Sequence, residues 1–392
     1  MTPPPNYGTE SDAHVPKPAL GLKFGVSDGF THEVRRRVDG YFESTGKARR
    51  DCPQMYVKTT LVLTWFAASY ALLVFGTGAW WVAVPLAISL GLSMAAVGFN
   101  IQHDGGHHAY SDRRWINKLT ALTLDLLGGS SYVWARKHNS IHHSFSNITG
   151  HDDDINLGFI GRLSPHQKRL RFHRLQHVYL WALYGFLPIK WQAFDDFHNV
   201  VTGRIGGHRF PRPKGWDLVT FLAGKAVFFS LALAIPLLLH PLWIVLAFYA
   251  AVTYVQGVVL SVVFQLAHCV EEAEFPLPRE DTGRMESAWA VHQVQTTVDF
   301  ARRNRLLTWY VGGLNFQIEH HLFPQICHVR YAALAPIVEE TCVKYGLKYA
   351  AHPTFRAGVA SHFRWLRRMG MAAPANPSHA CERRRVGNAP RE

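Results

Sequence analysis

Two stretches of the chain, residues 59–103 and 226–270, contain no Asp, Glu, Lys or Arg, whereas polar positions dominate elsewhere. Each stretch is about twice the ~20 residues that one helix needs to cross a ~30 Å hydrocarbon core. Each also breaks near its middle, at Gly76-Thr77-Gly78 and at His240-Pro241. The pattern predicts four crossings, over residues 59–76, 80–99, 218–239 and 242–264, arranged as two helical hairpins. Lys47, Arg49, Arg50 and Lys58 precede the first crossing, and Arg113 and Arg114 follow the second. The hairpin loops at the other ends carry no charge. By the positive-inside rule, both termini and the long middle segment lie in the cytoplasm. The expected fold is an all-α integral membrane protein.

The remaining segments add less. Apolar runs near 119–133 and 178–189 are too short or too charged to span, and read as interfacial or half-buried helices. The basic stretch from Thr31 to Lys58 reads as partly helical and lying on the membrane surface. The N-terminal end is proline-rich and polar, without the basic start and apolar core of a secretory signal. The expected layout is a disordered tail over 1–30, one membrane domain over 31–372 and a disordered tail over 373–392. Forty-one Lys plus Arg against 28 Asp plus Glu give a net charge of +13. With four spans, that charge points to anionic membrane surface, and no nucleic-acid partner is expected. Five scattered cysteines form no CxxC pair and read as free thiols.

The chain carries 23 histidines, and eight fall in three clusters: His103-Asp-Gly-Gly-His107-His108, His138-Asn-Ser-Ile-His142-His143 and Gln317-Ile-Glu-His320-His321. Positions i and i+4 of a helix share one face, so each cluster can aim its rings at a common point. Imidazole suits iron, copper, nickel and zinc. One zinc takes three or four ligands, so eight histidines ask for two metals. All three clusters fall on one side of the membrane, and His268, closing the fourth crossing, lies on that same side. Asp104, Glu319 and the His151-Asp152-Asp153-Asp154 run are candidates to orient the rings from behind. The triple Asp also suits a solvated turn or a helix cap. Gly105 and Gly106 imply either close packing near the metals or a local break in the helix. His14, His32, His166, His173, His177, His198, His208, His352, His362 and His379 read as surface or interfacial side chains; His292 and His328 stay open.

HDGGHH, HNSIHH with its trailing SNITGHDDDIN, and GGLNFQIEHHLFP (Gly312 to Pro324) together resemble the membrane fatty acid desaturases. The likeness runs from about Val57 to the Tyr345–Tyr349 region. It implies a cytoplasmic helical cap holding a non-haem di-iron centre. That centre uses O2 and two electrons to introduce a double bond into an acyl chain on phospholipid, CoA or carrier protein. It also implies His103, His107, His138, His142, His143, His320 and His321 as iron ligands. His108 is the alternative to His107, and His268 resembles an additional ligand found between the second and third boxes. Gln317, opening the third box, is similar to the front-end desaturases; whether it ligates directly or through water stays open. No HPGG haem motif occurs, so electrons would come from a separate ferredoxin, cytochrome b5 or reductase. A narrow apolar tunnel is expected from the cytoplasmic halves of the helices. The basic run Lys168 to Arg174 reads as either a head-group site or an anchor to anionic lipid. Di-iron lipid, sphingoid, carotenoid or alkane hydroxylases share such boxes. A zinc-dependent membrane hydrolase or a metal transporter is the non-oxidative rival, although a transporter should place its ligands near the bilayer midplane.

Overall fold

The computed structural model describes residues 22–26, 29–76 and 78–371, and is mostly helical. Its helices include α1 (Phe30–Thr45), α2 (Pro53–Phe75), α3 (Trp80–Gly106) and α4, which runs through Ser131–Trp134, Ala135–His142 and His143–Phe145. Then come α5 (Trp216–Leu237), α6 (Leu242–His268), α7 (Trp289–Thr296), α8 (Arg305–Tyr310), α9 (Gln317–Leu322), α10 (Tyr331–Lys344) and α11 (Phe355–Gly370). Four of these, α2, α3, α5 and α6, are long and apolar enough to cross a bilayer. Two small ladders depart from the all-α expectation: Arg204–Ile205 pairs antiparallel with His208–Arg209, and Asp299–Phe300 pairs parallel with Ala351–His352. Each only pins two loop segments together.

The four long helices are centred where the charge-free blocks put them, but they run further at the histidine-bearing ends. Pro53 starts α2 at a position whose N–H would be unpaired anyway. Lys58 then survives inside the helix because its ammonium is buried 2.9 Å from His328 Nε2. Likewise α3 continues past Asn100, whose amide donates to Ala96 O at 2.7 Å and Tyr310 O at 2.9 Å. Hydropathy ends a span where polar residues begin; here those residues are enclosed by protein. α3 lies along both α2 and α6. At their other ends, His240 donates to Val74 O at 2.8 Å and closes a free carbonyl near the end of α2.

Lys225 is the one strongly charged side chain buried deep in α5. Its ammonium donates to Gly128 O at 2.7 Å, to Trp191 O and Gln192 O at 3.3 Å, and to Asp196 Oδ2 at 2.7 Å. It thereby ties α5 to the loop before α4 and to the short helical turns around residue 192. The runs near 119–133 and 178–189 are indeed short helical pieces, broken in the first case after Leu126.

α1 corrects one expectation. It is helical, but its apolar stripe of Phe30, Val34, Val38 and Phe42 is buried against α10 and α7, so it packs on protein. Residues 22–26, expected within a disordered tail, lie along 284–287, with Gly25 N–H donating to Ser287 O at 2.9 Å and Met285 N–H to Lys23 O at 2.9 Å. Residues 1–21, 27–28 and 372–392, with His14, His379 and Cys381 among them, and Thr77 lie outside the described residues, while Phe30, also expected in the tail, begins α1.

Several histidines read as surface groups are instead buried fasteners. His173 donates to Phe159 O at 2.8 Å, His208 to His151 O at 3.0 Å and His362 to Cys269 O at 2.6 Å, while buried His352 lies 3.1 Å from Glu272. His32 and His198 are exposed as expected. Sequence alone does not reveal the burial of these four because a single isolated histidine carries no periodic signal.

Candidate metal centre

The three histidine clusters and the end of α6 meet in one buried place. His103, His107, His138 and His320 bring one ring nitrogen each within 4.8 Å of one another, and His142, His268 and His321 do the same beside them. His143 joins the two sets. Its Nε2 lies 3.3 Å from His138 Nε2 and 3.1 Å from His320 Nε2, and its ring stacks on His321 with centroids 4.3 Å apart.

Local winding explains the convergence. Just before His103, α3 passes through a π-helical turn over Gly98–Gln102, and Ala135–His142 of α4 is π-helical as well. Such i→i+5 winding places residues four and five ahead of His138 on either side of the next turn. His142 and His143 therefore both face inward, His142 within the second set and His143 between the two. His108 does not join them. The chain turns left-handed there (φ 59°) and leaves its ring exposed, whereas His107 is buried among the others. His107, not His108, therefore occupies the inward position.

The donor set fits two cations. His103 Nε2, His107 Nε2 and His321 Nε2 are buried with no hydrogen-bond partner among the described residues. Burying polar nitrogens unpaired is costly, and a cation at the meeting point of each set would satisfy them. The rings are also in the right state to ligate. Burial, reinforced by neighbouring imidazoles, holds His107, His143, His320 and His321 well below the ordinary imidazole pKa, so they are neutral at pH 7. Gln317 places its amide 3.0 Å from His268 Nε2, and its Oε1 is buried and unpaired. A half-turn of that amide presents the carbonyl oxygen to the second set.

Behind the rings stands a layer of orienting groups. Asp152 faces His142 Nδ1 at 3.1 Å; burial alone would depress His142, but Asp152 and Asp154 together outweigh it and raise the pKa. Asp152 also accepts the N–H groups of Asn147 and Asp154. Asp153 and Asp154 pair with Lys137, both at 3.2 Å. The acidic run is thus built into the site. Asp104 and Glu319 are not behind the rings. Asp104 binds His328 Nδ1 at 3.0 Å, and Glu319 turns toward Tyr349, whose hydroxyl lies 2.9 Å from it and 2.6 Å from Asp299. The partners that sequence missed are Gln293 Oε1, 2.7 Å from His321 Nδ1; Tyr331 OH, 3.2 Å from His320 Nδ1; and Thr296 O, 3.3 Å from His268 Nδ1. They come from α7 and α10, which carry no motif. His292 is buried and donates to Ser146 O at 2.9 Å. Asn147, part of an apparent glycosylation sequon, is buried and donates to His268 O, Glu274 O and Thr296 O.

An orienting carboxylate gives the first prediction. Asp152→Asn should weaken metal binding by roughly 10- to 100-fold, the usual cost of such outer partners. A competitive chelator titration of the purified protein reads this directly, and an unchanged affinity would remove Asp152 from the role. The glycines give another. A Cβ on Gly106 would lie 2.2 Å from the Trp134 ring, which itself stacks on His138 at 4.5 Å, and one on Gly105 would meet Thr120 Oγ1 at 2.2 Å. Both glycines sit within a helical turn, so close packing is their use. Gly106→Ala should destabilise by about 1–3 kcal/mol through overpacking, seen as a lower unfolding temperature in detergent.

An apolar cavity of about 380 Å³ lies between the four long helices, lined by Phe66, Tyr70, Met94, Phe228, Trp243 and Tyr249 among others. It sits away from the clustered histidines: its lining on α3 stops at Met94, more than two turns before His103. It is not the expected tunnel from the histidine-bearing ends of the helices.

Comparison with known proteins agrees with this geometry. A family model described as fatty acid desaturase matches residues 79–353. The sn-1 linoleoyl-lipid 6-desaturase of Arthrospira platensis is 42% identical over 353 residues, 89% of this chain and 95% of that protein. The sn-1 linoleoyl-lipid 6-desaturase of Synechocystis sp. is 36% identical over 90% of this chain and 98% of its own length. The acyl-lipid (8-3)-desaturase of Physcomitrium patens is 36% identical over 92% of this chain and 75% of its own length.

Proposed function

Because the chain belongs to the fatty acid desaturase family, we propose that it is an acyl-lipid desaturase placing a cis double bond in a lipid-bound acyl chain. It is an oxidoreductase and a membrane protein with four apolar crossings. The observation that carries the reading is the pair of buried histidine sets joined by His143.

His103, His107, His138 and His320 would hold one iron, and His142, His268 and His321 the other, with His143 between them and Gln317 beside the second. Bound there, the two irons supply the O2-dependent oxidation of an unactivated C–H that side-chain acid–base groups cannot perform. The overall change takes –CH2–CH2–, O2, two electrons and two protons to –CH=CH– and two waters. The protein's own share is positional. Asp152, Gln293, Tyr331 and Thr296 O fix the ring orientations, and the surrounding core, including Phe99, Phe264 and Trp134, excludes bulk water from the site. The two electrons come from a separate donor protein. The four crossings form two hairpins, and the positive-inside distribution of Lys and Arg puts the histidine sets, the cap around them and the termini on the cytoplasmic side.

Similarity to the two linoleoyl-lipid 6-desaturases points to carbon 6 of a linoleoyl chain as the reacting position. The test is the lipid profile of a host supplied with several acyl chains and expressing wild type or His142→Ala. A new double bond at carbon 6 with wild type alone is the expected result. A hydroxylated chain in its place would favour the di-iron hydroxylase reading.

A further inference from the structure

A cleft of about 510 Å³ opens beside the first turns of α2, walled by Gln54, Lys58, Arg302, Arg303, Arg305 and Trp309, with no carboxylate in its lining. Arg302 is already engaged with Glu339 at 2.9 Å and with the Tyr349 ring. Arg303 and Arg305 are exposed and have no side-chain partner among the described residues. Lys58 is buried, held 2.9 Å from His328 Nε2 and lying over the Trp309 ring at 5.1 Å, with Asp104 acting on it only from behind that histidine. Three cations thus converge on a concave space, and two of them, Arg303 and Arg305, have no carboxylate partner among the described residues.

The cleft's surroundings say where it sits. Leu306 and Trp309 of α8 are 78% and 40% exposed beside the arginines, and Tyr56, Val57 and Leu61 of α2 are exposed next to Lys58. Apolar and indole side chains flanking Arg and Lys at the start of a membrane helix mark the bilayer interface. The cleft also backs onto the metal centre: Lys58 Nζ is 2.9 Å from His328 Nε2, and His328 Nδ1 is 3.0 Å from Asp104, the residue after His103.

We infer that this cleft binds the phosphate of a membrane glycerophospholipid, with Lys58, Arg303 and Arg305 as its cationic contacts. The inference rests on the desaturase reading only for the lipid's use, not for its binding. The shared chemistry, a phosphodiester at the bilayer surface, can belong to the lipid being desaturated or to a lipid that merely surrounds the protein. A concave, buried-lysine cleft rimmed by exposed Leu and Trp suits an inserted lipid phosphate better than the flat face of a soluble acidic redox protein.

The full chain in detergent is titrated with phosphatidylglycerol and with phosphate-free monogalactosyldiacylglycerol, and retained lipid is counted by native mass spectrometry. Wild type should prefer the phosphatidylglycerol. Arg303→Ala/Arg305→Ala, a change at two exposed unpaired side chains, should lose roughly 10- to 30-fold of that affinity, at about one cation–anionic-lipid attraction per residue. Its affinity for the galactolipid should not move. Equal retention by variant and wild type would overturn the inference. So would intact lipid binding with a raised KM for the electron donor, which would make the cleft a redox-protein dock. Binding needs no turnover, so an inactive wild type would count against the desaturase reading alone. The source follows from kinetics: a KM raised for linoleoyl-phosphatidylglycerol but not for the linoleoyl-galactolipid assigns the phosphate to the substrate, and an unchanged KM assigns it to a surrounding lipid.

Discussion

His143→Ala is expected to empty both metal positions and abolish product, a loss beyond the roughly 100-fold that outer partners cost. The reason is placement. Its Nε2 lies within 3.3 Å of rings from two other clusters while its face stacks on His321, so its removal opens both sets at once. His320→Ala should behave similarly, since that ring belongs to the first set and also brings a nitrogen within 4.8 Å of those of His143 and His321. His108→Ala is the control. Its ring is exposed on a left-handed residue, so iron content and product should match wild type. Metal analysis with lipid profiling reads all three variants, and an inactive, iron-free His108→Ala would contradict the assignment of His107 to the inward position.

Lys225→Ala carries the largest expected cost in stability. It strips the Asp196 carboxylate and the carbonyls of Gly128, Trp191 and Gln192 of a shared donor inside the protein. Removing one partner of a buried pair typically costs about 3–5 kcal/mol, because the other charge stays buried alone. The loop at Gly128 leads into α4, so the same variant should also disturb His138, His142 and His143. Replacing both partners, as Lys225→Met with Asp196→Leu, should recover part of the loss, since an apolar pair leaves no stranded charge. Thermal unfolding in detergent distinguishes these outcomes. A single variant as stable as wild type would show that the ammonium contributes nothing.

How much of this was legible beforehand depends on what each feature leaves in the sequence. The four crossings were readable because lipid excludes charge, and charge-free runs are visible in one dimension. Their histidine-bearing ends were read short because Asn100, Gln102 and His103 are polar yet enclosed by protein. The convergence of seven clustered histidines with His268 is legible from their spacing and from the place of His268 at the end of a crossing. The choice of His107 over His108 is not, because it depends on a backbone turn after Gly106. The π winding of Ala135–His142 is equally hidden, although it decides why His142 and His143 both face inward. Gln293, Tyr331 and Thr296 reach the centre from helices far along the chain, and only packing brings them there. α1 was misplaced for a related reason: an amphipathic basic helix suits a membrane surface and a protein groove alike, and here Val34 and Val38 are buried in the groove.

The central claim is that two histidine sets, joined by His143, hold two irons. Its most direct test is the metal content of the full chain purified from iron-supplied cells, measured for iron and zinc together. The account predicts about two irons per chain in wild type and close to none in His143→Ala. One zinc per chain and no iron would contradict it.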